Sequence, residues 1–192
     1  MIELIKQIRN RTGAGVIDIK KALEESDGDE KRAIEILRRK GLEKADKKEG
    51  RDVKEGVVAT YVHSNGKVAA MVKVLCETDF VARNEEFQQL TKDIAMQIVA
   101  MSPVCVKPEN VPEDEVAQQK KEWKKEMEGE NKSQEVMEKI MQGKEQKFRN
   151  EKALISQAFI KDQDLTVGDM VKEKISTIGE NIIVEDFMRM EL

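Results

Sequence analysis

The sequence predicts an α+β protein, with three helices in residues 1–40, a linker over 41–55, and a core over 56–192. In that core a small antiparallel sheet is packed by helices and a helical-hairpin arm occupies 111–150. Three observations lead there. Apolar residues recur at helical spacing through the first forty positions, interrupted twice by glycine-containing loops. The period then changes to a β-rich run, a strong turn and a second apolar run. Beyond residue 111 the chain is densely charged, with a narrow apolar stripe.

Ile2, Leu4, Ile5 and Ile8 mark the first helix, which stops at Thr12-Gly13-Ala14-Gly15. Val16, Ile19, Ala22 and Leu23 mark the second, which stops at Ser26-Asp27-Gly28. Asp29 suits the N-cap of a third helix carrying Ala33, Ile36 and Leu37, with Gly41 just past its end. So small a unit has a marginal core and needs support from the rest of the chain. Residues 41–55, charged and nearly free of large apolar groups, read as a helical or extended linker.

Val57 to Val62 form a β-rich run, Ser64-Asn65-Gly66 a hairpin turn, and Lys67 to Cys76 a second apolar strand. A long helix comes next with Phe87, Leu90, Ile94, Ile98 and Met101 on one face, ending before Pro103. Two charged helices, about Pro112 to Met127 and Ser133 to Phe148, turn at Gly129-Glu130-Asn131 and share the stripe Val116, Trp123, Met127, Val136, Met137, Ile140, Met141 and Phe148. That pattern fits an antiparallel arm with one face left for a partner. A helix from Val167 to Ile178 and a strand from Asn181 to Met190, returning to the hairpin, complete the core.

Composition narrows the function. Charged residues make up 38% of the chain, and 34 Lys and Arg stand against 38 Asp and Glu, for a net charge of −4. No general field attracts a polyanion. The basic pairs Lys120-Lys121 and Lys124-Lys125, and Arg38-Arg39-Lys40, are offset by nearby acids and read as solvated faces, so no nucleic acid is expected. The N-terminus lacks the apolar core of a signal peptide, and no run approaches the roughly 20 apolar residues of a membrane span. The expectation is a cytoplasmic protein with no membrane partner. Cys76 and Cys105 match no metal or redox spacing and read as free, buried or semi-buried thiols.

Catalytic chemistry finds no constellation. The single histidine, His63, flanks the hairpin turn without a partner, and no HExxH, GxSxG or phosphate-cradling GxxxxGK[ST] window occurs. No enzyme, metal or cofactor is expected. The loop TGAG at 12–15 is either a tight turn or a recognition loop whose Gly13 and Gly15 let a partner approach the backbone beside Val16 and Ile17.

The stretch Glu77 to Asn84, ETDFVARN, poses a sharper question. Thr78 can cap one helical turn from Asp79 to Ala82, and Asn84 the long helix after it. Phe80 then lies off the periodic face that Phe87 starts. Either it folds back over the sheet, as most large aromatics do, or it stands exposed as an interface anchor.

Taken in order, IRNRTGAGVIDIKKAL, GDEKRAIEILRRKG, CETDFVARNEEFQ, EKIMQGKEQKF and IGENIIVEDF resemble the bacterial translation elongation factor Ts family over nearly the whole chain. The resemblance implies a guanine-nucleotide exchange factor that binds elongation factor Tu and speeds GDP release. It implies that residues 1–40 are similar to ubiquitin-associated domains. Carried over by motif, Asp79, Phe80 and Val81 would form a wedge entering the partner near its magnesium and phosphate site. Arg9, Gly13, Gly15, Val16, Ile17 and Lys20 would form a docking surface. Val16-Ile17 stands where long members often show Met-Met. The chain has material for one core subdomain where long members have two, so it looks like the short form, and a homodimer is expected to supply the missing surface. The alternative is a non-catalytic adaptor that uses the same N-terminal domain and makes ETDFVARN a structural corner.

Overall fold

The computed structural model describes residues 2–127 and 133–192. The expected turn at Gly129-Glu130-Asn131 lies outside them. The chain runs through α1 (Ile2–Thr12), α2 (Val16–Glu25), α3 (Glu30–Asp46), β1 (Glu55–Val62), β2 (Val68–Cys76), α4 (Asp79–Ala82), α5 (Glu85–Met101), α6 (Glu113–Glu126), α7 (Gln134–Lys152), β3 (Ala158–Phe159), β4 (Asp162–Thr166), α8 (Val167–Ile178) and β5 (Ile182–Glu191). The protein is α+β, with a small antiparallel sheet in the order β1-β2-β5. The C-terminal strand thus returns to the hairpin, as expected.

Two compact units emerge. The first comprises the residues up to Val57, Val74–Thr91 and Asp169–Ile183; the second comprises Val58–Lys73, Lys92–Gly168 and Val184–Leu192.

In the first unit α1, α2 and α3 close around Ile5, Ile8, Ile19, Ala22, Leu23, Ala33, Ile34 and Leu37. Ile34 takes the core position expected of Ile36, which is only partly buried. Asp29 caps α3 by accepting from the Arg32 amide at 2.8 Å. Gly41 does not end that helix, which continues to Asp46. Glycine inside a helix costs about 1 kcal/mol relative to alanine, and here the helix runs on through it with room to spare. A Cβ at Gly41 would lie 3.5 Å from the Ser176 hydroxyl of α8. Ion pairs between Arg38 and Glu173 (3.3 Å) and between Asp46 and Lys172 (2.7 Å) join the same two helices. The first six residues of the expected linker, 41–46, are therefore helix docked on α8.

Gly66, at φ 68°, closes the hairpin, its amide donating to the His63 carbonyl at 2.8 Å. Gly56 meets a different constraint. A Cβ there would overlap the Val74 carbonyl oxygen and press on the Leu75 Cα at 2.9 Å.

In the second unit Ile94, Ala95, Ile98 and Val99 of α5 are buried. Met101, expected on that face, is exposed because it is the helix's last residue. Fully buried Gln97 donates to the Gln157 side chain at 3.3 Å and to the Ala158 carbonyl at 3.1 Å, and accepts from the Ile160 amide at 2.9 Å. Each of these bonds offsets the cost of burying the amide. They fasten the short β3-β4 hairpin, which periodicity does not reveal. In the arm, Trp123 of α6 meets Phe148 of α7 edge to face at 5.9 Å. Ion pairs Lys120–Glu145 (2.7 Å) and Arg149–Glu113 (2.6 Å) flank that contact. On α7 no residue is fully buried, so the apolar stripe from Val136 to Met141 stays partly open.

Replacing Gly56 by alanine forces β1 away from β2 and should destabilise the protein by about 1–3 kcal/mol. Thermal unfolding should show it as a fall in Tm of roughly 2–10 °C; an unchanged Tm contradicts the close-approach account.

Candidate partner-binding surface

Two capped corners shape the segment between β2 and α5. Thr78 has extended backbone, and its hydroxyl accepts from the Val81 amide at 3.4 Å, starting α4. Asn84 accepts from the Glu86 amide at 2.7 Å, starting α5. One helical turn cannot hold itself in water, so these caps and the anchoring of the preceding residues must hold α4. Ala82 faces inward and is buried, and Val81 is half-buried. Phe80 is 80% exposed, which excludes the reading in which its ring folds back over the sheet. Asp79 pairs with Arg83 at 2.9 Å across that turn. A pair this exposed is worth little and leaves the carboxylate open to other partners.

Sequence reasoning missed what anchors Glu77 and Thr78. The Glu180 carboxylate, just beyond α8, accepts from the Glu77 amide (3.1 Å), the Thr78 amide (3.0 Å) and the Thr78 hydroxyl (2.7 Å). In return the Glu77 carboxylate accepts from the Asn181 amide at 2.6 Å. The Asn181 side chain donates to the Arg51 carbonyl at 3.0 Å, and the Arg51 guanidinium lies 3.6 Å from Glu77. Gly179, at φ 96°, lets the chain leave α8 in the left-handed conformation that turns Glu180 toward β2. No local pattern announces a carboxylate acting 102 residues from its partner; a glycine after a helix followed by Glu-Asn was the only hint.

The α1–α2 loop is also well defined. The Gly13 amide donates to the Arg9 carbonyl at 2.8 Å, and Thr12 links the Ile8 carbonyl (2.7 Å) to the Ala14 amide (3.3 Å). Gly13 has φ 65°, a conformation that favours glycine, and a Cβ there would sit 3.0 Å from the Thr177 methyl, which would have to give way. Gly15, the N-cap of α2, has open space around it. Beyond it Val16 is 40% and Ile17 71% exposed, and Lys20 stands exposed one turn further on. Val16, Ile17 and Lys20 thus share one side of α2, while Arg9 is exposed on α1.

Reactive groups are sparse around these surfaces. Cys76 is fully buried, its thiol donating to the Thr78 carbonyl at 3.2 Å, and burial, with the nearby Glu180 charge, pushes its pKa up to about 11. Burial also raises the Cys105 thiol. Both are free thiols, as expected, and poor nucleophiles near neutral pH. The Tyr61 hydroxyl lies 3.4 Å from Nδ1 of His63. Among the described residues no group of three His, Cys, Asp or Glu could hold a metal, and no helix is long and apolar enough to cross a membrane.

Comparison with known proteins decides the family. The model of the family described as elongation factor TS matches residues 41–192. Elongation factor Ts of Maridesulfovibrio salexigens is 48% identical over 190 residues, which cover 99% of this chain and 92% of that protein. The chain belongs to the elongation factor Ts family. Elongation factor Ts of Fervidobacterium nodosum is 46% identical over 190 residues (99% of this chain, 96% of that one), and that of Thermosipho melanesiensis 48% over 187 (97% and 95%). An elongation factor Ts is a nucleotide exchange factor for elongation factor Tu in translation elongation, not a catalyst of covalent chemistry.

Proposed function

We propose that this chain releases GDP from elongation factor Tu by pressing Phe80 between helices of the GTPase and displacing its magnesium and phosphate site. The observation that carries the reading is the exposure of Phe80, in a chain where only 4% of residues are aromatic, on a turn fixed at both ends. Burying such a ring recovers roughly 1.5–3 kcal/mol, comparable to a tenfold to hundredfold change in affinity. The opposing grip is geometrically demanding. A phosphate loop holds its ligand through oriented amides, and magnesium requires near-ideal octahedral coordination, so a displacement of about 1 Å loosens both.

Exchange is then a matter of reciprocity. Whatever factor this protein takes from the affinity of the GTPase for GDP, GDP takes from the affinity of the GTPase for this protein. The complex of all three is short-lived in both directions, and excess GTP sets the outcome. Asp79 and Val81 flank the ring at the contact. Residues 1–40 act as the docking domain through Arg9, Gly13, Gly15, Val16, Ile17 and Lys20, raising the effective concentration of the wedge. Residues 41–55 connect that domain to the core of 56–192. This role puts the protein in the cytoplasm, with translation.

The protein works as a homodimer in this reading. Along β1, β2 and β5 the outward residues include exposed Val58, Val62, Met71, Met188 and Met190, an apolar set that a second copy can cover. Sedimentation at micromolar concentration should give a dimer, which Met71→Glu combined with Met188→Glu converts to monomer; a monomeric wild-type protein contradicts this part of the proposal.

Phe80→Ala should lower the saturating rate of GDP release from elongation factor Tu by at least about tenfold. Its half-saturating concentration should change less. Stopped-flow release of a fluorescent GDP reads both numbers. Release at the wild-type rate overturns the wedge.

A further inference from the structure

We infer that Glu180 is a positioning residue for nucleotide exchange, acting through the backbone of Glu77 and Thr78 to hold Phe80 at a fixed height and angle. The inference rests on the reading of Phe80 as the displacing group. An exposed ring on a compliant turn would be buried by a partner while the turn swung aside, and its burial energy would become affinity. On a rigid mount the same energy must move the partner, and displacement near 1 Å is the scale on which misplacement costs function.

The mount has the required form. Both amides preceding α4, and the hydroxyl that caps it, converge on a single carboxylate. Those donors would otherwise be satisfied by water, which imposes no direction. That carboxylate is itself directed by its neighbours. The Gly179 amide donates to the Ile175 carbonyl at 3.0 Å, closing α8, and Asn181, buried, is fixed by Glu77 and the Arg51 carbonyl. These bonds of Glu180 go to Glu77 and Thr78, so it acts on the ring through the chain leading into α4. One oxygen of Glu180 accepts from both amides and the other from the Thr78 hydroxyl; a glutamine carbonyl can take the place of the first while its NH2 donates to that hydroxyl, so glutamine should substitute where alanine cannot.

Full-length wild type, Glu180→Ala, Glu180→Gln, Phe80→Ala and the Phe80→Ala/Glu180→Ala double variant would be compared with elongation factor Tu carrying fluorescent GDP. Amide hydrogen exchange at Glu77, Thr78 and Val81 would be followed in the free proteins. Glu180→Ala should reduce the saturating release rate by at least about tenfold with its half-saturating concentration near wild type, and should speed exchange of those amides by about tenfold or more. Glu180→Gln should restore both. The double variant should release GDP no more slowly than Phe80→Ala alone, because Glu180 acts through that ring. A wild-type saturating rate in Glu180→Ala, with Phe80→Ala slow, overturns the positioning role and leaves the wedge standing; a wild-type rate in Phe80→Ala overturns the wedge and this inference with it. Should Glu180→Ala fail to fold, Glu180→Gln and the amides decide: a glutamine variant as slow as Phe80→Ala, or with unprotected amides, overturns the proposal.

Discussion

A helix of four residues has no stability of its own, and the most exposed large aromatic of this protein stands on one. Everything the segment does therefore depends on how its ends are tied. The tie is a reciprocal exchange of hydrogen bonds between two carboxylates and two stretches of backbone, Glu180 with residues 77–78 and Glu77 with Asn181. Bonds to a charged acceptor are roughly twice as strong as neutral ones, and three converge on one group. Asn84 fixes the far end by starting α5 at a set point. Between those fixed ends the only large apolar side chain left exposed is Phe80.

The same kind of support appears elsewhere in the first unit. Gly13 and Gly41 sit where α8 comes close, one against Thr177 and the other near Ser176. α8 thus supports the α1–α2 loop, packs on α3, and through Gly179 and Glu180 secures the turn of Phe80. An exchange factor has no chemistry to perform; it must bring surfaces together at fixed geometry and let partner affinities trade against each other. Shared support from one helix suits that task, because it keeps the exposed residues of α2 and the ring of α4 in a common framework.

Local signals in the sequence are dependable, and their limits are physical. The three N-terminal helices, the Ser64-Asn65-Gly66 hairpin, the caps Asp29, Thr78 and Asn84, and the returning strand β5 are all legible from period and turn chemistry, which act over a few residues. Gly41 misleads because a glycine beyond an apolar pattern ordinarily ends a helix, whereas here tertiary packing that buries Ala45 carries the helix past it. Spacing assigns Ile36 and Met101 to buried faces, but tertiary packing gives the first place to Ile34 and leaves Met101 to solvent. The β3-β4 hairpin escapes notice because its strands are two and five residues long and its anchor is Gln97, a polar residue in a helix. In the candidate site the residues Asp79, Phe80, Val81, Val16 and Ile17 are legible from their motifs, and the exposure of Phe80 needed coordinates to decide. Glu180 is not legible, because a bond between positions a hundred residues apart leaves no periodic trace.

The central claim is that the ring of Phe80 enters the GTPase beside its nucleotide. Replacing Phe80 by the photoreactive aromatic p-benzoylphenylalanine, irradiating the complex with nucleotide-free elongation factor Tu and mapping the adduct by mass spectrometry tests it directly. The account predicts a covalent link to the helices that flank the magnesium and phosphate site of the GTPase. Adducts confined to other parts of elongation factor Tu, or to this chain itself, would contradict it.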